Sequence, residues 1–247
     1  MINRQNKKSL GIIGGMGPMA TVDFFKKVVL LTKAKNDQDH IHIIIDNNTS
    51  VPDRSDYINN RNSINPYYEL QKSAERLEQL YVECIAIPCN TAHYFYDQLS
   101  NKINTPILNM IEIAVEVIMK GFPNITKIGL MGTKGTCNSR IYHTIFSKYN
   151  IEIETPDESH QNIISNSIYG FKSGNINFNF ELIHEVINYL KSNGSELIVL
   201  GCTELPLIFE LLHIEEPYID TTFTLAKEAI TVMKYQVKPE FTTKYHL

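Results

Sequence analysis

The sequence predicts an α/β fold made of two pseudo-symmetric units, each with a parallel four-stranded sheet, that face a central cleft. Two observations support this prediction. Short, nearly continuous apolar runs alternate with helix-period segments, a pattern typical of buried parallel strands with helices on both faces. The chain also contains an internal repeat, which indicates that one unit has been duplicated.

Eight apolar runs rich in Ile, Leu and Val predict the strands. Their apolar residues are too continuous for a half-exposed strand, in which apolar and polar residues alternate, so they indicate strands buried on both faces. In chain order the predicted strands are 10–13, 41–45, 84–87, 106–108, 127–131, 151–153, 197–200 and 218–219.

Segments between the strands carry apolar residues at helical spacing. The predicted helices are 21–32, 66–80, which has a proline at a helix-start position, and 178–192. On the first helix the predicted buried face comprises Val22, Phe25, Val28, Val29 and Thr32. The polar, Asn-rich stretch 46–65 predicts a long loop, and loops of this length in compact domains are usually functional or disordered.

The repeat matches three segments of the first half with three of the second, in the same order. The pairs are 10–17 with 128–135, 84–91 with 197–204, and 106–109 with 217–220. The second pair aligns Cys89 with Cys202. We therefore predict two Rossmann-like or flavodoxin-like units: a first domain at 1–109, joined by a C-terminal helix at 222–247, and a second at 110–221.

Composition and charge argue against several classes of function. With 23 Lys and Arg against 27 Asp and Glu, the chain lacks the basic excess of a nucleic-acid binder. No stretch approaches the roughly 20 apolar residues of a membrane helix. Glycines and Pro18 interrupt the apolar run near the N-terminus, which makes it a poor secretion signal. We expect a cytoplasmic protein that contacts neither nucleic acid nor membrane.

The four cysteines are too few for a disulfide scaffold, but two of them occupy equivalent repeat positions. Cys89 and Cys202 each follow the third strand of a unit, at the edge where parallel sheets bind ligands. Two facing units would place the thiols on opposite walls of one cleft, and a helix start after each would favour its thiolate. A lone cysteine is more often inert packing, which is the prediction for Cys84; Cys137 is assigned no chemical role.

Metal and dinucleotide sites are less well supported by the sequence. His93 has helical spacing from Cys89, but the two residues supply only two ligands where a structural zinc needs about four. The glycine-rich segment 11–18 lacks the G-x-G-x-x-G spacing, and no acidic residue is placed to hold a ribose. Such loops still allow backbone N–H groups to approach a small carboxylate.

Three motifs are distributed along the chain: Gly-Gly-Met-Gly-Pro at 14–18, Pro-Cys-Asn-Thr-Ala-His at 88–93 and Gly-Cys-Thr-Glu-Leu-Pro at 201–206. They resemble motifs of the PLP-independent aspartate/glutamate racemase family, and the resemblance covers nearly the whole chain. The stretches 46–54, 132–136 and 171–174 are similar in particular to the aspartate racemase branch. Glu204 stands where the glutamate racemase branch usually has His.

The resemblance implies a cofactor-independent racemase of aspartate, with glutamate as a second candidate substrate. Cys89 and Cys202 would exchange the α-proton on opposite faces, and Arg54 and Lys172 would hold the side-chain carboxylate. The substrate-binding residues implied are Met16, Gly17, Asn47, Thr49, Arg54, Asn90, Thr91, Thr133, Thr136, Lys172, Thr203 and Glu204. No cofactor or metal is implied, the partner is a small acidic amino acid, and the chain would form a homodimer.

Other functions remain open at this point. One is racemisation of another amino acid, or isomerisation of a diacid, on the same scaffold. Another is non-catalytic binding of acidic amino acids, which the paired cysteines argue against because binding alone does not require both thiols. His93 could order the loop behind Cys89 or satisfy a helix start, and Glu204 could deprotonate Cys202 or contact the substrate amino group.

Overall fold

The computed structural model describes residues 8–242, in which seven strands alternate with eleven α-helices. The strands are β1 (Ser9–Gly14), β2 (His42–Asn47), β3 (Cys84–Ala86), β4 (Lys127–Gly132), β5 (Glu152–Glu154), β6 (Leu197–Gly201) and β7 (Tyr218–Asp220). The helices are α1 (Pro18–Leu31), α2 (Arg54–Asn59), α3 (Tyr67–Gln79), α4 (Tyr96–Ser100), α5 (Met110–Gly121), α6 (Lys134–Ser139), α7 (Ile141–Phe146), α8 (Glu158–Lys172), α9 (Phe180–Ser192), α10 (Leu205–Leu211) and α11 (Thr221–Val232). The predicted α/β class is confirmed.

Two parallel sheets form the core, with strand orders β2-β1-β3 and β5-β4-β6-β7. The second has the four predicted strands, whereas the first has three and a single bridge between Ile85 and Ile107. Two backbone hydrogen bonds of 2.8 Å join Ile85 to this segment, one to the carbonyl of Pro106 and one from the N–H of Leu108. The prediction of a fourth full strand here is wrong, because Pro106 has no N–H to extend the ladder and α5 begins at Met110.

The buried face of α1 differs from the predicted one. Val22 and Phe25 are 55% and 41% exposed, while Phe24 packs in the core. Beside it Lys27 is buried, with its Nζ 2.5 Å from an Asp23 oxygen and 3.3 Å from an Asp220 oxygen. An ion cluster of this kind allows charged side chains to occupy an interior face, which hydrophobic periodicity alone does not anticipate.

The segment predicted as a long loop contains α2. The Asp53 carboxylate accepts a hydrogen bond of 2.8 Å from the Asp56 N–H and so caps the helix. This helix crosses to the second half of the chain and contacts α6 so closely that a Cβ on Gly135 would lie 2.4 Å from the Ser55 Cα. Helix α2, which belongs to the first half, therefore lies directly against the second half.

Helix α11 lies against elements of the first half of the chain. It packs against α1, and Phe223 and Ala229 share a core cluster with Leu10 of β1. The division into 1–109 with the C-terminal helix 222–247, and 110–221, stays a prediction. The helix is shorter than predicted, because it ends at Val232 and the chain turns at Lys234, whose φ is +62°.

Residues 243–247, included in that predicted helix, lie outside the described range. Across 8–242, no helix combines the length and apolar character needed to cross a membrane.

Candidate active site

Cys89 and Cys202 line the same pocket. Cys89 lies just beyond β3 and Cys202 directly follows β6, so the parallel sheets deliver both thiols from their carboxyl ends. The volume of this inner pocket is about 10 Å³, close to the space of one water molecule. Its other lining residues are Met16, Asp53, Arg54, Ser55, Asn90, Thr91, Thr133, Lys172, Thr203 and Glu204.

A larger cavity of about 400 Å³ lies outside the inner pocket and shares lining residues with it, including Arg54, Lys172 and Glu204. Its remaining wall is largely apolar, with Met19, Val51 and Phe171 among the lining side chains. Two cations, Arg54 and Lys172, and two carboxylates, Asp53 and Glu204, therefore border the route toward the thiols, together with an apolar wall. We call this cavity the vestibule.

The structure brings together most of the predicted substrate-binding residues. Eight of the twelve line the inner pocket: Met16, Arg54, Asn90, Thr91, Thr133, Lys172, Thr203 and Glu204. Gly17 and Thr49 line only the vestibule, and Thr136 is fully buried behind Thr133. Asn47 is exposed at the end of β2 and lines neither cavity.

Sequence reasoning missed Asp53 and Ser55, which also line the inner pocket. Both belong to the start of α2, within the stretch that the sequence predicts to be a loop. The signal that could have found them is the sequence Asp53-Arg54-Ser55-Asp56, in which an N-cap residue is followed by an acidic residue in the first helical turn.

Three threonines and a serine form a hydroxyl cluster across the cleft. The Thr91 Oγ1 lies 2.8 Å from that of Thr136 and 3.2 Å from that of Thr133, and Ser55 donates to Thr133 at 2.8 Å. Thr133 also caps α6 by accepting from the Thr136 N–H. The cluster joins the loop after Cys89 to the second half of the chain and holds its hydroxyls in fixed directions.

Cys202 is held in its protonated form. Its thiol donates a 3.0 Å hydrogen bond to Glu204, which is 2% exposed. Burial, together with the negative charge of Glu204, raises the pKa of Cys202 well above its ordinary value. Burial and the charge of Glu204 therefore outweigh the effect of the nearby helix start, which by itself would lower the pKa of this thiol.

Lys172 faces the second oxygen of Glu204, at 3.7 Å. Burial lowers the pKa of Lys172, but the negative charge of Glu204 is the largest opposing effect and the net shift is upward. The ammonium group therefore keeps its charge beside the pocket. Glu204 consequently stands between a thiol that it keeps protonated and a cation that it neutralises.

Arg54 is anchored by backbone carbonyls. Its Nη1 and Nη2 donate to Pro52 and Met16, at 3.1 and 3.0 Å. Burial lowers the pKa of the guanidinium, but the nearby side chains of Cys89 and Asp53 outweigh that effect and raise it. Its Nε is buried and has no hydrogen-bond partner within residues 8–242. The group is charged, rigid and has an unused donor, which suits a carboxylate ligand.

His93 has both functions that the sequence left open. Its Nδ1 lies 2.9 Å from the Cys89 carbonyl, and its Nε2 accepts a 3.0 Å hydrogen bond from the Met110 N–H at the start of α5. The ring is therefore neutral, with its proton on Nδ1. Since both nitrogens are bound to the protein backbone, His93 has no free position for a metal or for substrate.

We predict that the free energy of unfolding decreases as the pH falls below about 6.5, because His93 is neutral in the folded state. Burial lowers the pKa of His93, so the folded state keeps the ring neutral where the unfolded chain already binds a proton. Unfolding then takes up a proton, and stability decreases with falling pH until the folded pKa is reached. Thermal unfolding of the wild type and of His93→Gln between pH 7 and pH 5 measures the effect.

The difference in melting temperature between the two proteins should narrow toward pH 5, because glutamine does not titrate. A pH-independent difference would contradict a neutral, buried His93.

The sequence and the fold are similar to those of several known proteins. A family profile described as Asp/Glu/Hydantoin racemase matches residues 13–229. The broad specificity amino-acid racemase RacX of Bacillus subtilis is 28% identical over 245 residues, covering 92% of this chain and 99% of that protein. The structure of Picrophilus torridus aspartate racemase is 32% identical, with a TM-score of 0.84 over 97% of this chain and 100% of that one.

An aspartate racemase homologue from Pyrococcus horikoshii is 25% identical in sequence, with a TM-score of 0.73, and covers 93% of this chain and 100% of its own.

Proposed function

The chain belongs to the Asp/Glu/hydantoin racemase family, and we propose that it interconverts L- and D-aspartate by proton transfer between Cys89 and Cys202. The observation that carries the proposal is that one narrow pocket contains both thiols, each delivered by a different half of the chain. Racemisation requires a proton to leave one face of the α-carbon and another to arrive on the opposite face, and two thiols on facing walls meet that requirement.

In this mechanism the thiolate of one cysteine removes the α-proton, and the C–H electron pair remains on the substrate. The thiol of the other cysteine then donates its proton to the opposite face of the α-carbon, so the two cysteines exchange protonation states. Cys202 is protonated in the free enzyme, so we assign it the donor role in the turnover that begins from this state. Cys89 is then the acceptor.

The proposed chemistry proceeds without PLP or a metal ion, so the site itself must stabilise the carbanionic transition state. The side chains of Asn90, Thr91 and Thr203 surround the thiols and are the proposed donors to the α-carboxylate. Their burial excludes water, which strengthens each electrostatic contact. An amino acid is larger than the present inner pocket, so the pocket must widen when substrate enters.

Isotope exchange tests the proposal directly. Incubation with L-aspartate in D₂O, without added PLP or metal, should yield D-aspartate that carries deuterium at the α-carbon, detected by chiral chromatography and mass spectrometry. Absence of exchange with every acidic amino acid would contradict the proposal.

Lys172→Ala is expected to raise the KM for aspartate by about 10-fold or more, because a buried cation that pairs with a carboxylate typically contributes a few kcal/mol. Arg54→Lys keeps the charge but loses the planar fork, so it should weaken aspartate binding as well. Steady-state kinetics of both variants with aspartate measure these effects. Lys191→Ala, a surface lysine that pairs with Glu216, serves as control.

An unchanged KM in both site variants would mean that they do not recognise the side-chain carboxylate. An isomerase acting on another diacid should then be sought by profiling the wild type against diacids.

A second candidate is racemisation of other amino acids. The vestibule favours it, because its apolar lining by Met19, Val51 and Phe171 can accommodate side chains longer than that of aspartate. The similarity to a broad-specificity racemase agrees with this candidate. A chiral assay against a panel of amino acids discriminates the two, because selective turnover of aspartate and glutamate would exclude broad specificity. The homodimer and the cytoplasmic location stay predictions.

A further inference from the structure

We infer that Tyr142 is a positioning residue, which fixes the side-chain amide of Asn90 so that an N–H donor, and not the carbonyl oxygen, is presented to the substrate. The inference rests on the proposed racemase function, in which Asn90 binds the α-carboxylate. Tyr142 lies on α7 and lines neither the inner pocket nor the vestibule. It therefore acts through Asn90 and not by touching the substrate.

A chain of three buried hydrogen bonds supports this role. The Tyr142 hydroxyl donates to the Asn90 Oδ1 at 2.5 Å, and the Asn90 Nδ2 donates to the Thr221 Oγ1 at 3.1 Å. Thr221 in turn donates to the Leu200 carbonyl at 2.9 Å. Tyr142 and Thr221 are fully buried and Asn90 is 2% exposed, so water does not replace these partners.

These three hydrogen bonds determine which end of the Asn90 amide faces which neighbour. Thr221 has a single hydroxyl proton and gives it to Leu200, so it can only accept from Asn90. The amide nitrogen must therefore face Thr221, and the amide oxygen must face Tyr142, which supplies a proton to it. Burial raises the pKa of Tyr142 far above its ordinary value, so the phenol remains a donor throughout the working range of pH.

One of the two hydrogens on the Asn90 Nδ2 remains available to the substrate. The Nδ2 group has two hydrogens and Thr221 takes one of them. Asn90 also lines the inner pocket with both thiols, which places the second hydrogen within a site that must bind a carboxylate. When the α-proton leaves, negative charge accumulates on that carboxylate, and a donor fixed in advance stabilises it. A flipped amide would present an oxygen and repel it.

The same three hydrogen bonds also link the surroundings of the two cysteines. Asn90 follows Cys89 directly, whereas Leu200 lies in β6, two residues before Cys202. Tyr142 and Leu200 belong to the second half and Asn90 to the first. The chain of hydrogen bonds that orients the amide therefore also connects the loop of one thiol to the strand of the other.

Tyr142→Phe tests the inference, because it removes the hydroxyl and keeps the ring that packs against Phe146. We expect kcat for aspartate to fall about 10-fold or more, since oxyanion donors typically contribute 10²–10³ and here the donor is misoriented and not deleted. KM should change less than kcat. Tyr218→Phe, a buried tyrosine on β7 away from both cavities, should leave kcat unchanged.

A double-mutant cycle with Asn90→Ala separates positioning from simple packing. If Tyr142 acts through Asn90, Tyr142→Phe should not reduce kcat further when Asn90 is already alanine. An undiminished effect in that background, or an unchanged kcat in the single variant, would overturn the inference.

Failure of the proposed function is distinguishable from failure of this inference. Failure of the proposed function would appear as absence of α-proton exchange both in the wild type and in Tyr142→Phe. In that case the link between Tyr142 and Asn90 can be tested from the melting temperatures of four proteins. They are the wild type, Tyr142→Phe, Asn90→Ala and the double variant. Non-additive shifts would support the hydrogen-bonded pair, and additive shifts would overturn it.

Discussion

Replacing either Cys89 or Cys202 by alanine is expected to reduce aspartate racemisation by about 10³-fold or more. Positioned acid–base groups typically contribute 10²–10⁴ in rate, and each variant loses the only group that serves one face of the α-carbon. The remaining thiol can still remove and return a proton on its own face. Each variant should therefore exchange the α-proton of one enantiomer with D₂O without inverting it, which chiral analysis and mass spectrometry detect.

The other two cysteines provide matched controls. Cys84 packs in the core of the first half, where burial raises the pKa of its thiol to about 11. Cys137 lies on α6 and is partly buried, and the desolvation of its thiol raises its pKa to about 12. Neither lines the inner pocket. Cys84→Ala and Cys137→Ala should keep full racemisation, whereas full activity in a Cys89 or Cys202 variant would refute the two-cysteine mechanism.

The strands could be predicted well because buried parallel strands leave a strong signal. Apart from the segment after Pro106, each predicted strand matches an observed one to within two residues at either end. The repeat then pointed to the candidate site, because equivalent strands end at equivalent edges. That is why Cys89 and Cys202 could be paired although they are far apart in sequence.

The parts that could not be predicted depend on partners from elsewhere in the chain. Lys27 is buried on α1 because Asp220 meets it from the other end of the sequence, so the apolar pattern of α1 selected a face that is exposed. Tyr142 carries no motif at all, and only the fold shows that its hydroxyl reaches Asn90. Periodicity reports the environment of a local segment, whereas these roles arise from contacts between the two halves.

The short helix α2 was missed for a different reason. At six residues it is too short to show a helical period, and its sequence is polar because it forms the edge of a cavity. Its signal was chemical and local: the Asp53 cap and the acidic Asp56 in the first turn. A resemblance could mark Arg54 as a site residue without revealing that a helix places it there.

Glu204→Gln is expected to lower the pKa of Cys202 and to reduce kcat for aspartate by about 10-fold or more. Burial of Cys202 is unchanged in the variant, but the negative charge that opposes its thiolate is gone, so more thiolate forms at any given pH. Cys202 then fails as a proton donor in the turnover that begins from the free enzyme. The pH dependence of iodoacetamide alkylation at Cys202, followed by peptide mass spectrometry, measures the shift directly.

The alkylation profile of Cys202 should move to lower pH in Glu204→Gln and remain at its wild-type position in Glu210→Gln. Glu210 is an exposed residue on α10, the helix that begins directly after Glu204. Glu204→Asp, which keeps the charge on a shorter side chain, should fall between those two variants. The competing hypothesis is that Glu204 deprotonates Cys202 as a general base. It predicts the opposite result, since loss of the base would leave the thiol less reactive, and alkylation would then require higher pH. The direction of this one shift therefore decides whether Glu204 keeps the proton on Cys202 or removes it.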